Sequence, residues 1–179
     1  MPTTDGTTPA PSVQDLFLAH AQSVARWAAR LGGPRMEVED VVQEVFLVAA
    51  RKLPGFRSQS SVTTWLYGIT AKVVQARRRS ARWRHWLRSE GEAPLAFLPD
   101  PAGSPLRQLE SKQAHARVYA LLDTLPEKHR TALILSELEG LSGERIAELM
   151  NAKPATVFVW VHRAKARLAD KLSASGDAP

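Results

Sequence analysis

The 179 residues include no cysteine. That absence excludes disulfides, thiolate-held zinc, iron–sulfur clusters and thiol catalysis together, and it fits a reducing compartment. No apolar run comes near the roughly 18 residues of a membrane span. Residues 1–12 hold no Lys or Arg and no apolar stretch, so a secretory signal is not expected. Alternating apolar and polar segments are scarce, and no repeat of about 20–50 residues is present. The five histidines (20, 85, 115, 129 and 162) lack metal-ligand spacing. No phosphate loop or nucleophile motif occurs. The expectation is a protein without catalytic residues, metal or cofactor.

Basic residues are plentiful, but in one place. The net charge is +6, from 24 Lys and Arg against 18 Asp and Glu. Residues 1–50 sum to −3, residues 51–90 to +9, and the rest to zero. An acidic segment followed by a strongly basic one implies two surfaces with different partners, one of them polyanionic.

Helical spacing dominates. Ser12 is placed to cap a first helix over 12–31, with Leu16, His20, Val24, Trp27 and Leu31 on one stripe. Gly32-Gly33-Pro34 stops it. A second helix is expected over 37–53, burying Val38, Val41, Val42, Val45, Phe46 and Ala49 and ending at Pro54-Gly55. A third runs from about 61 into Arg77-Arg78-Arg79. Breakers at Gly91, Pro94, Pro99, Pro101, Gly103 and Pro105 mark a linker. Further helices are expected over 109–123, 126–140, 142–150 and 155–172. The fold class is all-α: two small helical domains, 12–88 and 108–172, joined by a flexible linker at 89–107. Disordered tails are expected at 1–11 and 173–179.

The last two helices have the layout of a helix-turn-helix. Ile146, Ala147 and Met150 face inward, Asn151 to Pro154 form a tight turn, and Val157, Val161, Ala164 and Leu168 make one narrow stripe. An ordinary helical hairpin with a solvated basic face has the same pattern. The third helix carries Trp65, Tyr67 and Lys72, then Arg77, Arg78, Arg79, Arg82, Arg84 and Arg88 interleaved with Trp83 and Trp86. Stacking aromatics beside phosphate-neutralising cations suit melted DNA. A core tryptophan and cations at a helix C-terminus are the plainer reading.

Taken in order, these motifs resemble a known family. Asp40, Gln43, Glu44, Phe46 and Leu47 read D-x-x-Q-E-x-F-L, like region 2 of bacterial sigma factors. Leu53-Pro54-Gly55-Phe56-Arg57, Ser61, Thr64-Trp65-Leu66-Tyr67 and Ile69 follow. Leu125-Pro126-Glu127, Arg130, Glu139-Gly140-Leu141-Ser142, Ile146-Ala147, Thr156-Val157 and His162-Arg163-Ala164 resemble region 4. The two-region layout is similar to that of extracytoplasmic-function sigma factors and covers residues 16–172.

The resemblance implies a cytoplasmic initiation factor with four contacts. Asp40, Gln43, Glu44 and Leu47 would meet the β′ clamp of core RNA polymerase. Phe56, Arg57, Ser61, Thr64, Trp65, Lys72, Arg77, Arg78 and Arg79 would hold the −10 element and help open it. Lys153, Thr156, Phe158, Val159, Trp160, His162, Arg163 and Arg167 would dock at −35. Region 4 would also touch the β flap. An anti-sigma protein is an expected partner, and no membrane insertion is expected. The alternative is a sigma-derived regulator or adaptor that does not initiate transcription.

Two departures from the family pattern stand out. Lys72 replaces a common Asn, keeping a donor and losing an acceptor. Phe158-Val159-Trp160 replaces a polar string in the recognition helix. Contact with thymine methyls, a protein-binding patch, or a weakened −35 contact are all compatible with that change.

Overall fold

The structure, a computed structural model, describes residues 12–56, 60–87 and 105–174, with backbone alone for 82–87 and 105–112. The expected tail at 1–11, residues 175–179 of the expected tail at 173–179, Arg57, Arg88 and most of the expected linker lie outside these residues, and residues 173–174 continue the last helix instead of starting a tail. So do the side chains of Arg82, Trp83, Arg84 and Trp86.

Among the described residues the regular structure is helical, with no strand. They form α1 (Val13–Gly32), α2 (Val38–Lys52), a 3-10 turn (Leu53–Gly55), α3 (Val62–Leu87), α4 (Pro105–Leu122), α5 (Glu127–Glu137), α6 (Gly143–Met150) and α7 (Pro154–Ala174). Every expected helix is present within a few residues. The largest difference is α4, which starts at Pro105, inside the expected linker. Proline suits a first turn, where its missing N–H costs nothing.

Local chemistry explains the ends. Ser12 Oγ accepts from Asp15 N–H at 3.1 Å, and the Asp15 carboxylate accepts from Ser12 N–H at 3.0 Å, a reciprocal capping box. The Ser12 hydroxyl, donating to the same carboxylate at 2.7 Å, and then the Ser12 N–H hold the Asp15 carboxyl below the usual range. Ser142 caps α6 through Arg145 N–H. Asn151, at φ 49°, closes α6 in the left-handed conformation that a short polar side chain tolerates.

α1, α2 and α3 pack mutually into a first bundle, and α4, α5 and α6 pack with α7 into a second. Leu16, Val24, Val41, Val45, Phe46, Ala49 and Leu66 fill the first core, with Trp27 edge-on to Tyr67 at 5.4 Å. His20, expected on the buried stripe of α1, is only half-buried; Ala28 lies on that stripe instead. Leu133, Ile134, Leu135, Ile146, Leu149, Val157 and Ala164 fill the second core. The bundles also touch each other, α3 against α6 and α1 against α5.

Candidate nucleic-acid interface

The α2 face is assembled as the sequence implies. Asp40, Gln43 and Leu47 are exposed and Glu44 is half-buried, one turn apart along the side opposite Val41, Val45 and Ala49. Arg77 joins this face from α3. Its Nε donates to Glu44 Oε2 at 2.8 Å, and its terminal nitrogens reach the Asp40 carboxylate and carbonyl at 3.4 Å. The resemblance implies a DNA contact for Arg77; the structure places it among the α2 carboxylates.

A second surface lies at the start of α3. Ser61 Oγ accepts from Thr64 N–H at 3.1 Å and shares a 2.8 Å bond with the Thr64 hydroxyl. Phe56, just past the 3-10 turn, meets Trp65 at a tilt of 37° with ring centres 4.8 Å apart. Trp65 is half-buried: one part packs on the core, and another lines an open cleft of about 510 Å³ with Glu44, Val48, Lys52, Gly68 and Lys72. Aromatic surface and two ammonium groups thus border one concavity. Lys72 and Arg79 are exposed. Arg78 is not: only 7% exposed, it bonds Asp123 at 2.7 Å and Glu127 at 3.1 Å in the second bundle. In this arrangement its charge is already neutralised.

The third surface is α7. Val157 and Ala164 are buried and Val161 and Leu168 partly so, which turns the other faces outward. Lys153, His162, Arg163 and Arg167 are exposed and Thr156 is half-buried. The apolar trio divides. Phe158 is 72% and Val159 40% exposed, with Phe158 stacked on His162. Trp160 instead packs against the core, with the Lys128 ammonium 5.6 Å from its ring centre. It also walls a cavity of about 400 Å³ between the bundles, opposite Tyr67 and Lys72. Burial, then the charges of Arg167 and Arg163, hold His129 below the usual histidine range.

Sequence reasoning missed the residues that join the bundles: Tyr119, Asp123, Arg130, Glu139 and Glu148. Arg130 and Glu139 were seen as parts of motifs, but no periodicity shows what a buried charge pairs with. No group of carboxylates and histidines able to hold a metal occurs among the described residues. No helix there is long and apolar enough to cross a membrane.

Known proteins resemble this chain along most of its length. The family described as Sigma-70 region 2 matches residues 16–84, and Sigma-70, region 4 matches residues 115–168. The ECF RNA polymerase sigma-E factor of Escherichia coli (strain K12) is 35% identical over 145 residues, covering 78% of this chain and 75% of that one. The ECF RNA polymerase sigma factor SigE of Mycolicibacterium smegmatis is 30% identical over 170 residues, covering 91% of this chain. This chain spans 62% of that relative's length. The structure of the sigma factor RpoE in complex with the anti-sigma factor NepR from Bartonella quintana superposes with a TM-score of 0.60 at 26% identity, over 89% of this chain and 96% of that one. CnrH, solved in complex with the cytosolic domain of CnrY, shares the fold with a TM-score of 0.60 at 22% identity, over 90% of this chain and 88% of that one. By these matches and by its two-bundle fold, the chain belongs to the extracytoplasmic-function sigma factors of the sigma-70 family.

Proposed function

We propose that this chain works in the cytoplasm as the promoter-reading subunit of RNA polymerase, without catalytic chemistry of its own. The observation that carries this reading is the coexistence, on one fold, of an exposed acidic face and two separate basic-aromatic faces. A stand-alone DNA-binding regulator has no use for the first. Asp40, Gln43, Glu44 and Leu47 bind the β′ clamp. Phe56, Ser61, Thr64, Trp65 and Lys72 take the −10 strand in the cleft beside Trp65, with Arg57 and Arg79 adding charge. Strand opening exposes bases, and each base stacked on an aromatic ring contributes about 1–3 kcal/mol.

α7 enters the major groove at −35. Lys153, Thr156, Arg163 and Arg167 position it on phosphates, while Phe158, Val159 and His162 face the base edges. Apolar side chains there favour thymine methyls, so a T-rich patch is expected rather than guanines read by arginine. Trp160 supports this helix from behind. The apolar groove formed by Val118, Leu122, Leu138, Leu168 and Leu172 lies toward the other end of α7 and suits the β flap. An anti-sigma protein is a further proposed partner, since a relative of this fold is known in such a complex.

Core binding tests the reading. Asp40→Lys with Glu44→Lys should abolish capture by core polymerase while helix content is retained by circular dichroism. Because both carboxylates hold Arg77, a folded variant is required for the comparison. Equal capture of a folded double variant refutes the assignment.

A further inference from the structure

We infer that the cavity bordered by Lys72, Lys128 and Trp160 is a binding site for a nucleoside polyphosphate, a role beyond promoter reading and independent of it.

The cavity measures about 400 Å³, with walls from α3 on one side and from α5, α6 and α7 on the other. Small-molecule sites run from roughly 300 to 1,000 Å³, with mostly apolar walls and a few convergent polar groups. This one has that make-up.

Its charge suits an anion. Lys72 and Lys128 are both exposed, and neither meets a carboxylate among the described residues. Lys128 stands in the first turn of α5, and Pro126 before it supplies no side-chain cap. The N–H groups of that turn have no partner inside the helix and form the positive end of its dipole. Such a helix start is suited to phosphate. Glu127 also lines the cavity, but its carboxylate accepts from the Arg78 guanidinium at 3.1 and 3.3 Å. Its charge is thereby offset, and two ammonium groups and a helix N-terminus remain. That balance favours more than one phosphate.

The rest of the wall suits a base. Trp160 supplies aromatic surface, with Leu149 and Met150 beside it. Every base has a flat face that stacks on such a ring. The Lys128 ammonium lies 5.6 Å from the Trp160 ring centre, so the aromatic and cationic parts of the site adjoin. The Gln75 amide and the Thr131 hydroxyl each donate and accept, as a base edge or a ribose requires.

Tyr67 is an independent sign of a ligand. The residue is 2% exposed, and its hydroxyl has no hydrogen-bond partner among the described residues. Buried hydroxyls nearly always have one. Burial, then the charges of Glu127 and Glu139, push its pKa well up, so it keeps its proton and offers a donor. Tyr67 walls the cavity, and a phosphate or ribose oxygen lodged there is placed to accept that bond. Packing of the bundles accounts for Leu149 and for part of Trp160. It does not account for two unpaired ammonium groups at an uncapped helix start beside an unpaired buried hydroxyl.

Calorimetric titration of the full chain with ATP and with GTP tests the site. Saturable binding of at least one of them, one per chain, is expected. Tripolyphosphate, which lacks the ring, should bind at least about tenfold more weakly, because each stacked base contributes about 1–3 kcal/mol. Lys128→Gln should weaken binding about tenfold or more, the value of a lost hydrogen bond from a charged donor. Tyr67→Phe should weaken it by roughly twofold to tenfold. The free Tyr67→Phe chain should melt no lower than wild type, since it loses only an unpaired hydroxyl. Nucleotide should raise the Tm of wild type in proportion to the logarithm of its concentration, and that of Lys128→Gln by less. Arg51→Gln, an exposed charge outside the cavity, should leave the affinity unchanged.

No saturable binding at millimolar nucleotide overturns the site. Tripolyphosphate binding as tightly as ATP and GTP, or equal weakening by Arg51→Gln and Lys128→Gln, shows surface attraction alone and overturns it too. Unchanged affinity in Tyr67→Phe, or a lower Tm of that variant, overturns the role of the hydroxyl. Lys128 is exposed, so its variant decides the matter even if Tyr67→Phe fails to fold. Capture of a short single-stranded oligonucleotide, with neither nucleotide bound, overturns the class of ligand.

Discussion

Arg130→Met removes the most buried charge in the described residues while keeping most of the side-chain stem. Arg130 is 1% exposed. It donates to Leu31 O at 2.7 Å and to Asp123 Oδ1 at 3.1 Å, and its guanidinium lies 5.8 Å from the Tyr119 ring centre. A hydrogen bond from a charged donor is worth about 1.5–3 kcal/mol. The Leu31 carbonyl is left without that donor at a buried helix end. Asp123 loses less, since it is half-exposed and keeps Arg78; that share is under about 1 kcal/mol. Relief of the desolvation that lowers the Arg130 pKa works in the opposite direction. The net expectation is a loss of about 2 kcal/mol, or a fall in Tm of roughly 4–8 °C for a chain of this size. Thermal unfolding followed by circular dichroism measures it. Tyr119→Phe removes the neighbouring bond to Arg30 O, so the double variant should be non-additive by at least about 0.5 kcal/mol. An unchanged or raised Tm for Arg130→Met would refute the claim that this guanidinium ties the bundles together.

Three further outcomes follow from named contacts. Gly33→Ala should destabilise the chain by more than the roughly 1–3 kcal/mol of a strained backbone, because its Cβ also meets the Tyr119 ring; Tyr119→Ala should restore part of the loss in urea titrations. Arg79→Gln should flatten the salt dependence of holoenzyme binding to promoter DNA by about 0.9 in log–log slope per lost phosphate contact. Arg77→Gln should leave that slope unchanged, since Arg77 already serves Glu44 and Asp40. His129 has a depressed pKa in the folded state, so the unfolded chain binds its proton more readily. Its contribution to stability is present above the ordinary histidine pKa and lost as pH falls through that value toward the folded one. Urea midpoints of wild type should therefore fall between pH 7.5 and 5.5 by more than those of His129→Gln, and equal falls would contradict the assignment.

Periodicity made the helices legible because each needs only one apolar stripe and two end signals. The Ser12 box, the Gly-Gly-Pro stop and the Asn151 turn all act within a few residues of themselves. The acidic face of α2 was legible for the same reason: Asp40, Gln43, Glu44 and Leu47 share a face by spacing alone. Arg77 and Arg78 show the limit. In sequence they are one basic run with Arg79, yet the 100° step of a helix sends the three in different directions. One meets α2, one meets the second bundle, and one meets solvent. Trp160 departs from Phe158 and Val159 in the same way. The pairing of Arg130 with Leu31 spans 99 positions in sequence, and only the packing of the bundles brings it about.

Run-off transcription on a genomic fragment library, with purified core polymerase and the full chain, tests the central claim most directly. Initiation at discrete sites that share a −10 element and a T-rich −35 element is expected, and should disappear when the chain is omitted or carries Asp40→Lys with Glu44→Lys. Core polymerase that binds the chain yet starts at no site above background would contradict the account.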